Sequence, residues 1–449
     1  MGKSIKIKKG LNINLVGEAD KVLSNHVSDT YSIKPPNFHG AIPKLLVKEG
    51  AEVLAGTPLF FDKNHEQVKV CSPVSGEVAS IVRGEKRKIL EIRILADKEI
   101  KYEDFGASNP NDLSGDEVKK KMLQAGAWPF IRQRPYDIIA NPNQKPKAIF
   151  ISGFDSNPLA ADFDFVLHDK AEEFQIGLDA IKKLTDGKVH LGLRGDHNPT
   201  DVLKNAKGVE INYFPGPHPA GNVGVQIHHI DPINKGEVVW YVSPQDVLLI
   251  GKLFLTGKYD ATRIIALAGS EVLKPRYYKT LIGANIKSLV EGNVKEGLLR
   301  YISGNPLTGE RISQDDSLGA YHSSITVIPE TTESRFFGWI TPNFDKLSAS
   351  RTMFSWLMPN KKYSLDTSLN GEDRAFVMTG QYEKVFPFDI YPVYLLKAIL
   401  TEDIEKMENL GIFEVAPEDF ALCEFVCTSK MQLQKMVREG LDLVHKEVG

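Results

Sequence analysis

The chain has 449 residues, 42% of them hydrophobic, 25% charged and 9% aromatic. That is the make-up of an ordinary globular protein, long enough for about three domains. Lys and Arg number 55 against 58 Asp and Glu, a net charge of −3, which excludes the basic footprint of a nucleic-acid-binding protein; three cysteines exclude a disulfide scaffold and fit a reducing compartment.

The N-terminus, MGKSIKIKKG, is basic but lacks the apolar stretch of a signal peptide. Residues 1–100 read as short strands punctuated by Gly40, Gly50, Gly56, Gly76 and Gly84. VKEGAEVLAGTPL at 47–59, followed by SPVSGEV at 72–78, has the cadence of a biotinyl/lipoyl-like barrel-sandwich. The glycines make tight turns and the valines fill a small core. The carrier version of that fold needs a lysine at its hairpin tip. Placing the tip at residues 71–75 leaves none there, so covalent biotin or lipoate is not expected.

Residues 101–257 read as a Rossmann-like α/β domain. The apolar run 147–153 is a buried parallel strand. A helix follows with Phe174, Leu178, Ile181 and Leu184 on one face and Gly187 just past its end. Strands at 189–193 and 209–214 flank a short helix at 199–206, capped by Asn198. The most apolar stretch, 238–256, carries Pro244, Gln245, Asp246 and Lys252. It reads as a buried strand and helix, and no transmembrane segment is expected.

Residues 258–330 return to β structure, with strands at 263–269 and 323–328 and a short helix near 283–289, which suits a β-grasp module. Residues 331–375 are irregular and aromatic. Residues 376–449 form a helical domain, with helices at 391–400, 401–410 and 431–446 and a helix start at Pro417.

Several signatures of chemistry are absent. There is no G-x-G-x-x-G after a strand, no phosphate-binding G-x-x-x-x-G-K-[ST], no G-x-S-x-G elbow and no H-E-x-x-H helix. His218, His228, His229 and Asp231 form the densest histidine region. Metal binding and plain loop hydrogen bonding are both open to it. Cys423 and Cys427 stand four apart, on one face of a helix. An iron–sulfur cluster needs about four such ligands, and buried thiols used as small hydrophobes are the alternative.

An ordered set of segments carries a family resemblance: WPFIRQRPY at 128–136, DSNPLA at 155–160, GPHPAG at 216–221, FLTG at 254–257, LAG at 267–269, ISGNPLTG at 302–309, FGW at 337–339, YEKV at 382–385 and DFALCEFVC at 419–427. Together they resemble the A subunits of bacterial sodium-translocating NADH:quinone reductases. The resemblance implies a peripheral subunit on the cytoplasmic face of the inner membrane. Its partners would be five further subunits, one of them membrane-embedded, with ubiquinone or menaquinone as electron acceptor. FAD, FMN and iron–sulfur groups would sit on other subunits and none on this chain. No residue here is expected to be a catalytic acid, base or nucleophile.

The architecture also resembles the flavin-binding subunit of respiratory complex I and the C subunit of the Rnf complex. Those relatives carry a glycine-rich loop by the flavin phosphate, where bare backbone can approach the ligand. Here the corresponding segment is AGAWPF at 125–130, which implies that FMN has been lost. Quinone contact is expected from Phe130, Arg132, Arg134 and Tyr136, joined by Phe38 and His39, with the arginines hydrogen-bonding a quinone carbonyl. In the alternative, the aromatics seal an old pocket and the arginines pair with a neighbouring protein of the complex. The chain would then be a cofactor-free scaffold for the membrane subunits.

Overall fold

The computed structural model describes residues 2–332, 337, 338 and 340–449. Trp339 of the FGW segment lies outside the described residues.

The N-terminal barrel-sandwich is built from two small sheets. One pairs Thr30–Ile33, Ile89–Ala96, Gly76–Arg83 and Glu52–Val53; the other pairs Pro43–Leu45, Pro58–Asp62 and His65–Cys71. Val53, Leu59, Val68, Val78, Ile92 and Ile94 fill the space between them. The hairpin of the three-stranded sheet that ends at Cys71 corrects one expectation. Its tip is Lys63–Asn64, between Pro58–Asp62 and His65–Cys71, and Lys63 is exposed. The tip therefore does carry a lysine. The sequence misleads because the glycine-proline pattern at 72–78 is louder than a two-residue turn.

The second sheet has the order Ile138–Ile139, Arg132–Arg134, Val239–Tyr241, Ala148–Ser152, Lys188–Arg194, Glu210–Phe214. The last four strands are parallel, and Arg132–Arg134 runs antiparallel beside Val239–Tyr241. Ile149 and Ile151 face Leu178 and Ile181 of the helix Ala171–Lys182, while Ala148 and Phe150 face Val223 and Ile227 of the helix Val223–Ile230. Both faces are covered, so the strand reads as an unbroken apolar run. The helices Ala171–Lys182 and Pro244–Thr256 touch through glycine. A Cβ at Gly177 would lie 2.1 Å from the Val247 carbonyl oxygen, and one at Gly251 1.8 Å from that of Glu173. The helix at 199–206 is shorter than expected, Asp201–Lys204. Its cap is Thr200 rather than Asn198, whose Oδ1 instead accepts from Lys204 Nζ at 3.0 Å.

The third sheet has the order Asp20–Asn25, Arg276–Leu281, Thr262–Ala268, Ser324–Pro329, Leu299–Ser303, Glu310–Ile312. Its edge strand comes from the N-terminal part of the chain, Leu23 pairing with Tyr277 in parallel. Before that strand, the Ser4 backbone pairs with Tyr213 and the Leu15 backbone with Tyr363. The first 25 residues thus lace the later parts of the chain together.

The C-terminal helices Pro392–Leu400, Ile404–Asn409, Ala421–Val426 and Leu433–Val448 close around Leu395, Met407, Leu422, Val437, Leu441 and Val444. Among the described residues no helix is long and apolar enough to cross a membrane.

Candidate functional site

The segment 128–137 decides where the predicted site residues go. It begins with a 3-10 turn, Trp128–Phe130, continues as the strand Arg132–Arg134 and ends in Tyr136 and Asp137, both at positive φ. Trp128 is fully buried against Trp240, its Nε1 donating to the Ala140 carbonyl at 2.8 Å. It is a core residue. Gly126, just before it, has φ +75, and a Cβ there would meet Cys71 Sγ at 2.4 Å. Gly126 therefore serves the contact between barrel and α/β sheet.

Beyond Trp128 the predicted residues separate into two sets. Phe38, Phe130 and Arg132 converge on Tyr321. The ring centroids of Phe38 and Phe130 lie 5.6 and 5.9 Å from that of Tyr321. The Arg132 guanidinium sits 5.0 Å from the Tyr321 ring and 5.2 Å from the Tyr241 ring. Its Nη2 donates to Asp137 Oδ1 at 2.7 Å, and Asp137 also accepts from the Tyr241 hydroxyl. Tyr321 is fixed by its hydroxyl, which donates to the Pro129 carbonyl at 2.7 Å. His322 follows, bonded through Nδ1 to Ser303 Oγ at 2.9 Å.

Arg134, Tyr136 and His39 go instead to the C-terminal region. Arg134 is completely buried. Its Nη1 lies 2.5 Å from Asp419 and donates to the Glu414 carbonyl at 3.2 Å, and its Nη2 lies 2.6 Å from Glu418. The Tyr136 ring packs 4.5 Å from His445, and its carbonyl accepts from Arg438 at 2.6 Å. His39 Nε2 pairs with Asp442 at 2.8 Å on the surface.

Electrostatics follow from this placement. Burial opposes the charge on Arg132, but Asp137 and the hydroxyls of Tyr241 and Tyr321 outweigh it, so the guanidinium is held well above its ordinary range. Asp137, also buried, is held down by Arg132 and Arg134. Burial, aided by Arg132, Arg263 and Lys34, lowers His322 to about 4 and keeps its imidazole neutral. Glu418 and Asp419 are different. Two arginines face three carboxylates across the segment, so burial and the neighbouring Asp419 and Asp137 push Glu418 up to about 7 despite Arg134. The 37% of its side chain that meets solvent screens that effect.

In the histidine region, His218 Nδ1 bonds Ser156 Oγ at 3.0 Å, and its buried Nε2 has no hydrogen-bond partner among the described residues. His228 Nδ1 bonds Glu414 at 2.7 Å and its Nε2 accepts from the Asp389 amide at 3.0 Å, while His229 bonds the Val225 carbonyl and Asp231 pairs with Lys147. Among the described residues no group of His, Cys, Asp and Glu is arranged to hold a metal. Cys423 and Cys427 are free and buried, and Cys427 Sγ is 2.8 Å from the Tyr382 hydroxyl.

Sequence reasoning misses Tyr241, Tyr321 and the Glu418–Asp419 pair. Tyr321 and Tyr241 carry no local signal, since each is one aromatic in a stretch whose pattern shows only strands. Pro417-Glu418-Asp419 reads as a helix start, although two adjacent carboxylates before an apolar helix also form an arginine acceptor.

A barrel-sandwich, an α/β sheet with four parallel strands, a mixed six-stranded sheet and a helical C-terminus define the class. Family models agree with that order: the NqrA N-terminal barrel-sandwich hybrid domain matches residues 5–97, the NqrA second alpha/beta domain 113–259, and the NQRA C-terminal domain 264–314. The A subunits of Na(+)-translocating NADH-quinone reductase are 39% identical to it in Neisseria meningitidis serogroup A, 38% in Photorhabdus laumondii and 37% in Yersinia pestis. Each match covers 99% of this chain and 100% of the relative. The chain belongs to the NqrA family, the A subunits of Na(+)-translocating NADH-quinone reductase.

Proposed function

We propose that this chain is a peripheral subunit of a complex that oxidises NADH, reduces quinone and exports sodium ions, and that it contacts the quinone at the corner formed by Phe38, Phe130, Arg132 and Tyr321. Arg132 carries the reading. Among the described residues it makes one hydrogen bond, to Asp137, and keeps 27% of its side chain in contact with solvent. A partly open guanidinium with donors to spare, framed by aromatic rings, suits a planar ring compound bearing carbonyl oxygens. Arg134 has no such access: its side chain is wholly buried, and its Nη1 and Nη2 are held by the Glu414 carbonyl and the carboxylates of Asp419 and Glu418. Ubiquinone and menaquinone share the dicarbonyl ring that Arg132 would meet.

The division of labour follows from the same features. FAD, FMN and iron–sulfur groups belong on the other five subunits, one of them membrane-embedded, with this chain on the cytoplasmic face. The parallel sheet then reads as a Rossmann-like domain that has given up its phosphate loop, and the third sheet as a β-grasp module. A scaffold role is favoured by one observation: Phe344, Trp356 and Leu357 are each more than half exposed on the 337–378 segment, a surface suited to a neighbouring subunit.

Titrating the chain with a water-soluble quinone, followed by tryptophan fluorescence, separates the readings. Arg132→Gln is expected to weaken binding by about tenfold, the worth of one charge-assisted hydrogen bond. Unchanged affinity in a folded Arg132→Gln protein would leave only the scaffold.

A further inference from the structure

A cavity lies away from the aromatic corner. It has a volume of about 820 Å3 and is bounded by the third sheet, the 346–374 segment and residues 421–434. That volume is within the range of small-molecule sites. Much of its wall is apolar, with Leu15, Ile302, Leu307 and Met431 contributing side chains. The other notable feature is a cation. Lys430 lies on the cavity wall, and among the described residues its ammonium has neither a hydrogen-bond acceptor nor an ion-pair partner.

The other basic groups along the wall are engaged. Arg300 pairs with Glu330, Lys346 donates to Asn370, and Arg374 makes contacts of its own. Glu424 accepts from the Gln434 amide at 2.9 Å, and burial raises its pKa. Asp366, which makes contacts of its own, and the exposed Asp373 also line the space. Lys430 itself is pulled below its ordinary pKa by burial. A half-buried ammonium without a counter-charge is costly, and an incoming anion removes that cost.

We propose that this cavity binds a small amphiphile with one anionic head, a carboxylate or a phosphate, paired to Lys430 Nζ, and an apolar body against Leu15, Ile302, Leu307 and Met431. The full chain is titrated calorimetrically with dodecanoate, dodecyl phosphate and dodecanol, each below its micelle concentration. One saturable site is expected for at least one of the two anions. The preferred anion tells a carboxylate ligand from a phosphate ligand, and dodecanol should bind about tenfold more weakly. Lys430→Gln should bring the anion down to the level of the alcohol, and Leu307→Trp, which fills the space, should abolish the site. Lys430→Gln is a half-exposed, near-isosteric change, so it reports even where Leu307→Trp fails to fold. Equal binding of the anions to wild type and Lys430→Gln, dodecanol binding as tightly as the anions, or no saturable site would overturn the proposal.

Discussion

Arg132 and Arg134 sit two residues apart on one short strand and have opposite fates. Arg134 is sealed among carboxylates of the C-terminal region and has no exposed surface. Arg132 leans on two tyrosine rings and remains partly open. The pair shows that an arginine-rich segment does not define a binding site by itself. The tertiary partner decides whether a cation is sealed within the fold or left partly open to solvent. One strand here holds the molecule together at one end and leaves a guanidinium partly open at the other.

The largest effect should come from breaking the sealed end. Arg134→Ala leaves Glu418 and Asp419 facing a buried gap without their counter-charge. Removing one member of a buried ion pair costs about 3–5 kcal/mol. The loss should appear as a lower unfolding midpoint and as earlier proteolytic cleavage of the 376–449 region. A midpoint within error of wild type would show that the C-terminal helices are held by their apolar contacts alone, and the contrast between the two arginines would lose its structural half.

A subtler effect sharpens the same end. The Glu418 carboxyl is raised from 4.5 to about 7, so the folded chain holds a proton there that the unfolded chain releases. The sign follows directly. This contribution to stability is complete below about pH 4.5 and fades as the pH rises through about 7. Glu418→Gln keeps the neutral form at every pH. Between those limits wild type should lose stability relative to the variant as the pH rises, measured by denaturant unfolding across the range. Parallel pH profiles for the two proteins would place the extra proton elsewhere.

How much of this is legible in the sequence depends on the range of the interactions. The apolar run 147–153 and the face of Phe174, Leu178 and Ile181 are local patterns, and the structure has them as the strand Ala148–Ser152 and the helix Ala171–Lys182. The strand Asp20–Asn25 pairs with residues some two hundred and fifty positions later, and no local period records such a partner. The same holds at the site. Segment 128–136 stands out because proline, arginine and aromatics are dense there. That Arg134 meets Glu418, and Arg132 Tyr321, depends on chain distances of 284 residues and more than 180. Charge counting across those distant segments becomes possible only once the fold brings them together.

The smallest effect tests the boundary between the two ends. His39 follows Phe38 directly, yet the two diverge: Phe38 turns in toward Tyr321, and His39 turns out to Asp442. The His39–Asp442 pair is exposed, with 39% and 49% of the side chains open to solvent. Such a pair is worth about 0–1 kcal/mol and is screened by salt. His39→Ala should therefore shift the unfolding midpoint little, and less at high salt than at low. It should also leave quinone affinity unchanged, because His39 belongs with Arg134 and Tyr136 on the anchoring side. A loss of quinone affinity in His39→Ala comparable to that of Arg132→Gln would mean the ligand bridges both ends of the strand, and the carboxylates that seal Arg134 would then have to open to admit it.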